Sequence, residues 1–303
     1  MESLRILVTG GAGFLGSHLV RALSKEGHLI RVLDDLSTGS LENIKGCDVE
    51  FIRGDIREYS TVKDALKDID VVVHLAALID VPESIEKPVE YFEVNSYGTF
   101  NVARASDNIN TLIFSSSCAV YGNPERLPID ENHKLNPLSP YAASKISGEA
   151  YITGYANIYG YRPVILRYFN IYGPKQTKAY AGVISEFTKR ALRGEPPIIY
   201  GDGEQTRDFI HVEDAVDAIL KAIKEERARG VYNIGSGNAV KIKDLAYLIL
   251  KLAGRTEIRP VYIAPRPGDI RNSVADITRA NKELGFEPRV KLDRGIEMLM
   301  KEK

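Results

Sequence analysis

The sequence predicts an α/β fold: a doubly wound parallel sheet with a smaller α/β lobe laid over the carboxyl edge of its strands. Three observations carry this expectation. Short apolar runs alternate with helical stretches through the first 168 residues, the pattern of a parallel sheet with crossover helices. A glycine-rich turn, Leu7-Val8-Thr9-Gly10-Gly11-Ala12-Gly13-Phe14-Leu15-Gly16-Ser17-His18, joins the first run to the first helix. After Arg167 the alternation loosens into loops rich in Gly, Pro, Tyr and Arg, broken by helices over 183–193 and 211–225. The expected division is therefore 1–168 and 169–303, with segments near 207–234 returning to the first lobe.

Arg5-Ile6-Leu7-Val8 reads as a buried strand, 17–27 as a helix, and 29–33 as a second strand ending at Asp34. Gly11, Gly13 and Gly16 satisfy the G-x-G-x-x-G spacing, and Gly10, Gly13 and Gly16 a wider one. A side chain there would hold the backbone away from a diphosphate, and the free amides of the helix start face negative charge. Asp34 stands where a carboxylate accepts from both adenosine ribose hydroxyls and repels a 2′-phosphate. This Rossmann-type arrangement predicts NAD rather than NADP. Strand, helix and acid together weigh against a glycine loop that binds nothing.

Asp35-Leu36-Ser37-Thr38-Gly39 forms a polar turn placed to close over the adenosine. A strand over 49–53 ends at Gly54-Asp55-Ile56, where Asp55 accepts from the adenine amino group with Ile56 on the ring, or caps a helix beginning near Glu58. Residues 70–78 read as a buried strand whose small end residues, Leu75-Ala76-Ala77, leave room for the cofactor. His74 within it reads as a satisfied core histidine. A long helix from Pro88 to about Asp107 contains Asn95, and a strand over 111–115 follows.

Composition narrows the function classes. The 303 residues, 44% of them hydrophobic, bury a large core, and a net charge of −1 points to neither nucleic acid nor a membrane surface. The two cysteines, Cys47 and Cys118, have no metal-ligand or disulfide spacing, so no metal is expected. With no signal peptide or long apolar span, a cytoplasmic location is expected.

The chemistry gathers at Ser115-Ser116-Ser117 and Tyr141-Ala142-Ala143-Ser144-Lys145. Positions four apart share a helix face, so Tyr141 and Lys145 aim at one site. The neighbouring ammonium is expected to lower the tyrosine pKa towards working pH, and Ser117 to place a hydroxyl beside the reacting oxygen. An isolated Tyr-x-x-x-Lys is a common chance match. Its position after a nucleotide-binding sheet and a serine cluster gives it meaning.

Through these motifs the chain resembles the extended short-chain dehydrogenase/reductase family and, within it, the nucleotide-sugar epimerases. The resemblance continues through Val120-Tyr121-Gly122, Leu166-Arg167-Tyr168-Phe169-Asn170-Ile171-Tyr172-Gly173-Pro174, Thr206-Arg207-Asp208-Phe209-Ile210-His211-Val212-Glu213-Asp214 and Arg266-Pro267-Gly268-Asp269. It implies Tyr141 as catalytic base and acid, Lys145 as its partner and ribose ligand, and Ser117 as its hydrogen-bonding companion. The implied NAD site adds Gly10, Gly13, Phe14, Leu15, Gly16, Asp34, Asp35, Ser37, Thr38, Gly39, Asp55, Ile56, Leu75, Ala76, Ala77, Asn95, Ser115 and Tyr168. Phe169 is implied beside the nicotinamide. The implied UDP-sugar site is Ser117, Asn170, Val183, Tyr200, Arg207, Arg266, Asp269 and Ser273, with the two arginines clamping the pyrophosphate. Two plainer readings stay open: Tyr200 as ordinary core, and Asp269 paired with Arg271.

Relatives that are 4,6-dehydratases carry Asp-Glu directly after the serine or threonine, and uronate decarboxylases place a glutamate there. This chain has Cys118 and Ala119. The resemblance thus implies a UDP-glucose/UDP-galactose 4-epimerase, with those two reactions, or a non-catalytic NAD-binding protein, as alternatives. Ile79 stands where many glucose-type epimerases have a lysine. Ser273 stands where a bulky tyrosine restricts others to simple hexoses, so UDP-N-acetylglucosamine is expected to fit. A homodimer is also implied, pairing the helix from Pro88 with the helix of Tyr141, where Tyr151, Ile152, Tyr155, Ile158 and Tyr159 offer apolar surface.

Overall fold

Strands β1 (Arg5–Thr9), β2 (Leu29–Asp34), β3 (Glu50–Arg53), β4 (Val71–His74), β5 (Thr111–Ser117) and β6 (Arg162–Tyr168) line up in parallel. The computed structural model describes residues 3–176, 182–265 and 270–301. Their strands are apolar almost without interruption because helices cover both sheet faces, as a parallel sheet requires. Ile6, Leu7 and Val8 of β1 are wholly buried.

Helices α1 (Phe14–Lys25), α2 (Tyr59–Ala65), α3 (Val81–Glu86), α4 (Pro88–Tyr91), α5 (Gly98–Ala105) and α6 (Pro140–Tyr159) make the connections. α6 shows why a sequence stops and starts where it does. Ser139 caps it by accepting from the Ala142 amide at 3.1 Å, Pro140 occupies the first turn, and Gly160 ends it with φ of 85°.

The second half contributes β7 (Asn170–Tyr172), α7 (Val183–Leu192), β8 (Ile198–Tyr200), β9 (Thr206–His211), α8 (Val212–Lys224), β10 (Gly230–Ile234), β11 (Ala239–Lys241), α9 (Ile242–Leu252), β12 (Val261–Ile263), α10 (Thr278–Leu284) and α11 (Leu292–Lys301). β10 adds to the edge of the main sheet beside β6, giving seven strands in the order β10-β6-β5-β4-β1-β2-β3. α8 packs against α1 beneath it. β11-β9-β7 and β12-β8 form small sheets around a separate core of Phe187, Phe209, Leu245, Ile249, Ile296 and Leu299. The order of the main sheet reverses between β1 and β4, and a ligand crevice opens outside such a switch point.

Several boundaries differ from expectation. β4 ends at His74, because Leu75 turns out to bond the Thr9 carbonyl (3.1 Å) and Leu78 bonds the Asn95 carboxamide (2.8 Å). The long helix from Pro88 is α4 and α5 joined by wider π turns over Phe92–Tyr97. Glu58, not Asp55, is the N-cap of α2, because the Asp55 carboxylate is taken by the Arg57 amide and guanidinium at 2.6–2.8 Å. Ile152 is buried in the core under α6 rather than facing out.

His74 is held as the sequence suggests. Nδ1 meets Thr9 Oγ1 at 2.7 Å, Nε2 meets Thr99 Oγ1 at 2.9 Å, and the ring stacks on Phe114. Burial pushes its pKa down to about 3, with the Lys145 charge adding to the effect. The unfolded chain binds this proton below about pH 6.5 while the folded one does not until near pH 3. Stability is therefore whole above pH 6.5 and falls as pH drops, by up to about 1.4 kcal/mol per pH unit from this group. In urea melts, the stability gap between wild type and His74→Asn should narrow from pH 7 to pH 4; a constant gap would show that His74 does not carry the effect.

Candidate active site

A cleft of about 520 Å³ lies along the carboxyl edge of the main sheet. Its floor is the glycine turn. Gly10 adopts φ of +71°, and a Cβ on Gly16 would come within 2.1 Å of the Gly10 carbonyl oxygen, so α1 begins directly against the turn. Gly13, the N-cap of α1, supplies no side chain to bond the first amides, and the first turn holds no acidic residue. Those donors face the cleft, bordered by Phe14 and Leu15.

At one end Asp34 accepts from the amides of Ala12 (2.9 Å) and Leu36 (2.8 Å), and burial holds its pKa above the usual carboxylate range. Asp35, Ser37, Thr38, Asp55 and Ile56 complete that wall, with Asp35 accepting from the Ser37 amide and hydroxyl. Leu75, Ala76 and Ala77 form the opposite lip.

Tyr141 and Lys145 enter the middle of the cleft from α6, facing Ser115 and Ser117 at the end of β5. Lys145 Nζ donates to the Ser115 carbonyl at 2.9 Å and lies 5.9 Å from the centre of the Tyr141 ring. Tyr91 packs edge-on against that ring. Burial pushes Lys145 down to about 8. It also pushes Tyr141 up to about 12, with hydrogen bonding to Ser117 pulling the other way. This corrects the expected lowering of the tyrosine: the ammonium is turned to a backbone carbonyl, and both groups lose more solvation than they gain from each other.

The far end is built by Tyr168, Phe169 and Asn170 beside Arg207, Cys118 and Ser273. The Tyr168 hydroxyl donates to the Ala215 carbonyl (3.2 Å) and Asn170 Nδ2 to the Asp208 carbonyl (2.8 Å). Asp208 is itself buried, accepting from the amides of Ser236, Gly237 and Ala275, so β9 is tied to the chain that carries Ser273.

A model of the NAD dependent epimerase/dehydratase family matches residues 6–235. The chain belongs to that family, and NAD is its cofactor. Among members of this epimerase/dehydratase family, it is 37% identical over 303 residues to the UDP-glucose 4-epimerase of Mycolicibacterium smegmatis, covering 97% of this chain and 96% of that one. A crystal structure of Thermotoga maritima UDP-glucose 4-epimerase with UDP-glucose superposes with a TM-score of 0.93 at 37% identity, covering 98% of each chain. A Methanobrevibacter ruminantium UDP-N-acetylglucosamine 4-epimerase in complex with UDP-N-acetylmuramic acid gives 0.94 at 38% identity, covering 99% of this chain and 98% of that one.

The cleft suits the family's cofactor: a floor without side chains, undonated amides at α1 and a carboxylate at the end of β2. Four expected site residues stand elsewhere. Asn95 is buried, its carboxamide spent on both polar groups of Leu78 and on the Ser144 hydroxyl. Gly39 packs against the backbone of Ala12 behind the wall. Val183 packs on the separate core around Phe187 and Phe209, and Tyr200, on β8, does not line the cleft among the described residues. Arg266 and Asp269 lie outside the described residues. Arg271 is paired with Asp202 (2.7 and 3.0 Å).

The structure adds lining residues that carried no sequence signal of their own, among them Gln176 and Ile270. Arg57, two residues after its partner Asp55, also lines the cleft, and that spacing is the one signal in the sequence that could have found it. Cys118, next to Ser117, has its thiol pushed up to about 11 by burial, against the pull of the Arg207 charge and a hydrogen bond with Ser273. It is a thiol and not a thiolate at neutral pH. After iodoacetamide treatment at pH 8, long enough to alkylate free glutathione fully, mass spectrometry should find Cys118 unmodified; stoichiometric labelling would place its pKa far lower.

Proposed function

We propose that this chain is a UDP-sugar 4-epimerase that interconverts UDP-glucose and UDP-galactose through a transient 4-keto sugar, with NAD held tightly throughout. The observation that carries the reading is one proton-transfer group, Tyr141, facing Lys145 and a Ser117 that is followed by Cys118 and Ala119, where a dehydratase or decarboxylase needs an acid. Held by the glycine turn, Asp34 and Lys145, bound NAD would supply the acceptor and donor of the C4 hydride, and the positive charge of its oxidised ring would favour a tyrosinate. Tyr141 removes the proton of the sugar 4-hydroxyl and later gives it back. Ser117 holds the same oxygen, and Lys145 stabilises the tyrosinate and binds the nicotinamide ribose. Residues 1–168 supply the cofactor side and 169–303 mainly the sugar side. Arg207, with Arg266, grips the diphosphate while the ketose turns to present its other face.

Asp34, whose carboxylate stands where a 2′-phosphate would lie, selects NAD. Ser273, small and beside Cys118, leaves room for a 2-acetamido group, so UDP-N-acetylglucosamine is accepted as well. The protomers pair through α4, the π turns that follow it and α6, where Val89, Phe92, Tyr97, Tyr151 and Ile158 are exposed apolar residues. The cytoplasm is the location we propose for the reaction. No described helix is long and apolar enough to cross a membrane.

A proton NMR time course with UDP-galactose and no added cofactor should show conversion to UDP-glucose. Release of carbon dioxide from UDP-glucuronate, or a 4-keto-6-deoxy product from dTDP-glucose, would instead favour the rival reactions. Tyr141→Phe should lower turnover at least about 100-fold, the scale of a lost general base, with NAD still bound; near-normal turnover would remove Tyr141 from the mechanism. Ser273→Tyr should abolish turnover of UDP-N-acetylglucosamine and spare UDP-galactose. Equal loss on both substrates would place Ser273 outside the sugar pocket.

A further inference from the structure

Outside the lining of the cleft lies a buried carboxylate with no role in the proposed chemistry. Glu149 sits on α6 one turn beyond Lys145 and two beyond Tyr141. The Ser116 hydroxyl, in the middle of the serine run, donates to Glu149 Oε1 at 2.5 Å. Arg167 of β6 donates through Nε to Oε1 (2.9 Å) and through Nη2 to Oε2 (2.6 Å). Arg167 Nη1 continues to the Tyr121 hydroxyl (2.9 Å), which donates to Asn233 Oδ1 on β10 (2.6 Å). All five residues are buried. One carboxylate therefore cross-links the end of β5, the catalytic helix and β6.

The same carboxylate is the charge that acts on Lys145. From β4 the ammonium is faced by His74, which is neutral; from β5 by the Phe114 ring and the Ser115 carbonyl; from α6 itself by Tyr141 and Glu149. Cys118 lies beyond Tyr141, and Arg167 of β6 lies behind Glu149. Burial drives Lys145 towards neutrality, and Glu149 opposes it.

We propose that Glu149 is a positioning residue: it locks the strand that carries Ser117 to the helix that carries Tyr141 and Lys145, and it keeps the Lys145 ammonium charged. Its effect on turnover rests on the 4-epimerase reading, whereas its hold on the Lys145 charge is measurable without turnover. The test is competitive acetylation of the NAD-loaded protein across pH 6–11, with the Lys145 peptide quantified by mass spectrometry against the surface residue Lys67. Glu149→Gln should move the Lys145 reactivity midpoint down by about one pH unit, the low end for losing a nearby opposite charge. Glu149→Asp should keep it near wild type. Should the unpaired Arg167 prevent Glu149→Gln from folding, the double variant Glu149→Gln/Arg167→Met leaves no lone buried charge and should show a downward shift that is smaller, because a positive charge leaves with the carboxylate.

With UDP-galactose, the alkaline limb of kcat/KM should move down by the same amount. An unshifted Lys145 midpoint in any folded variant without the Glu149 carboxylate overturns the proposal, whatever happens to turnover. A wild-type protein that turns over no UDP-sugar overturns the 4-epimerase reading instead, and the acetylation midpoints still decide whether Glu149 holds the Lys145 charge.

Discussion

Where β1 passes into α1 there is no space for a side chain, and the rest of the molecule is arranged around that contact. Gly16 lies so close to the Gly10 carbonyl that a Cβ would overlap it, and a Cβ on Gly10 would come within 2.8 Å of the Ala76 backbone amide. Three backbones, from the turn, α1 and the exit of β4, therefore meet at the point where the sheet order reverses. The close approach leaves the amides at the start of α1 facing an open cleft and brings Asp34, from the neighbouring strand, to its edge. A methyl group at Gly16 would have to move backbone and not a flexible side chain, at a cost of about 1–3 kcal/mol for overpacking and with loss of the cleft floor.

A second constraint is electrostatic. Tyr141 and Lys145 are 8% and 4% exposed, and burial pushes both towards their neutral forms. For the mechanism proposed above, which needs a tyrosinate beside an ammonium, that is the wrong direction. The fold offsets it with hydrogen bonds from the serine run and with the Glu149 carboxylate one turn further along the helix. The carboxylate is gripped in turn by the Arg167 guanidinium, which donates to both of its oxygens. Removing one partner of such a buried pair costs about 3–5 kcal/mol, because the other is left unpaired. The pair is therefore part of the architecture that the reactive groups lean on and not a surplus contact.

A small buried cluster of Val120, Tyr121, Ile129, Phe169 and Ala275 joins the segment after β5 to chain beyond β6. Phe169 and Asn170 follow Tyr168 directly at the carboxyl end of β6, so three consecutive residues line the cleft there. Arg207 and Ser273 reach the same place from distant segments because the Thr206 carbonyl accepts from the Ser273 amide at 3.2 Å and Asp208 gathers the backbone around Ala275.

What the sequence determined by itself was whatever local chemistry settles. Alternating apolar runs specified the parallel strands, glycine spacing specified the turn, and the four-residue interval specified that Tyr141 and Lys145 share a face. Residues 75–77 and 115–117 were legible as cleft lining because a parallel strand must end at the carboxyl edge. Tertiary structure decided what depends on which groups compete for one partner. Asn95 looked like a ligand, but its carboxamide is consumed by Leu78 and Ser144. Asp55 looked like a cap, but Arg57 occupies it. Ile152 looked like surface, but the sheet covers it. The direction of the Tyr141 pKa was likewise decided by desolvation, a property of everything packed around the phenol, which the spacing to Lys145 does not encode. Glu149 carried no local signal at all, since its partners Ser116 and Arg167 come from two other strands and meet it only once the sheet is assembled.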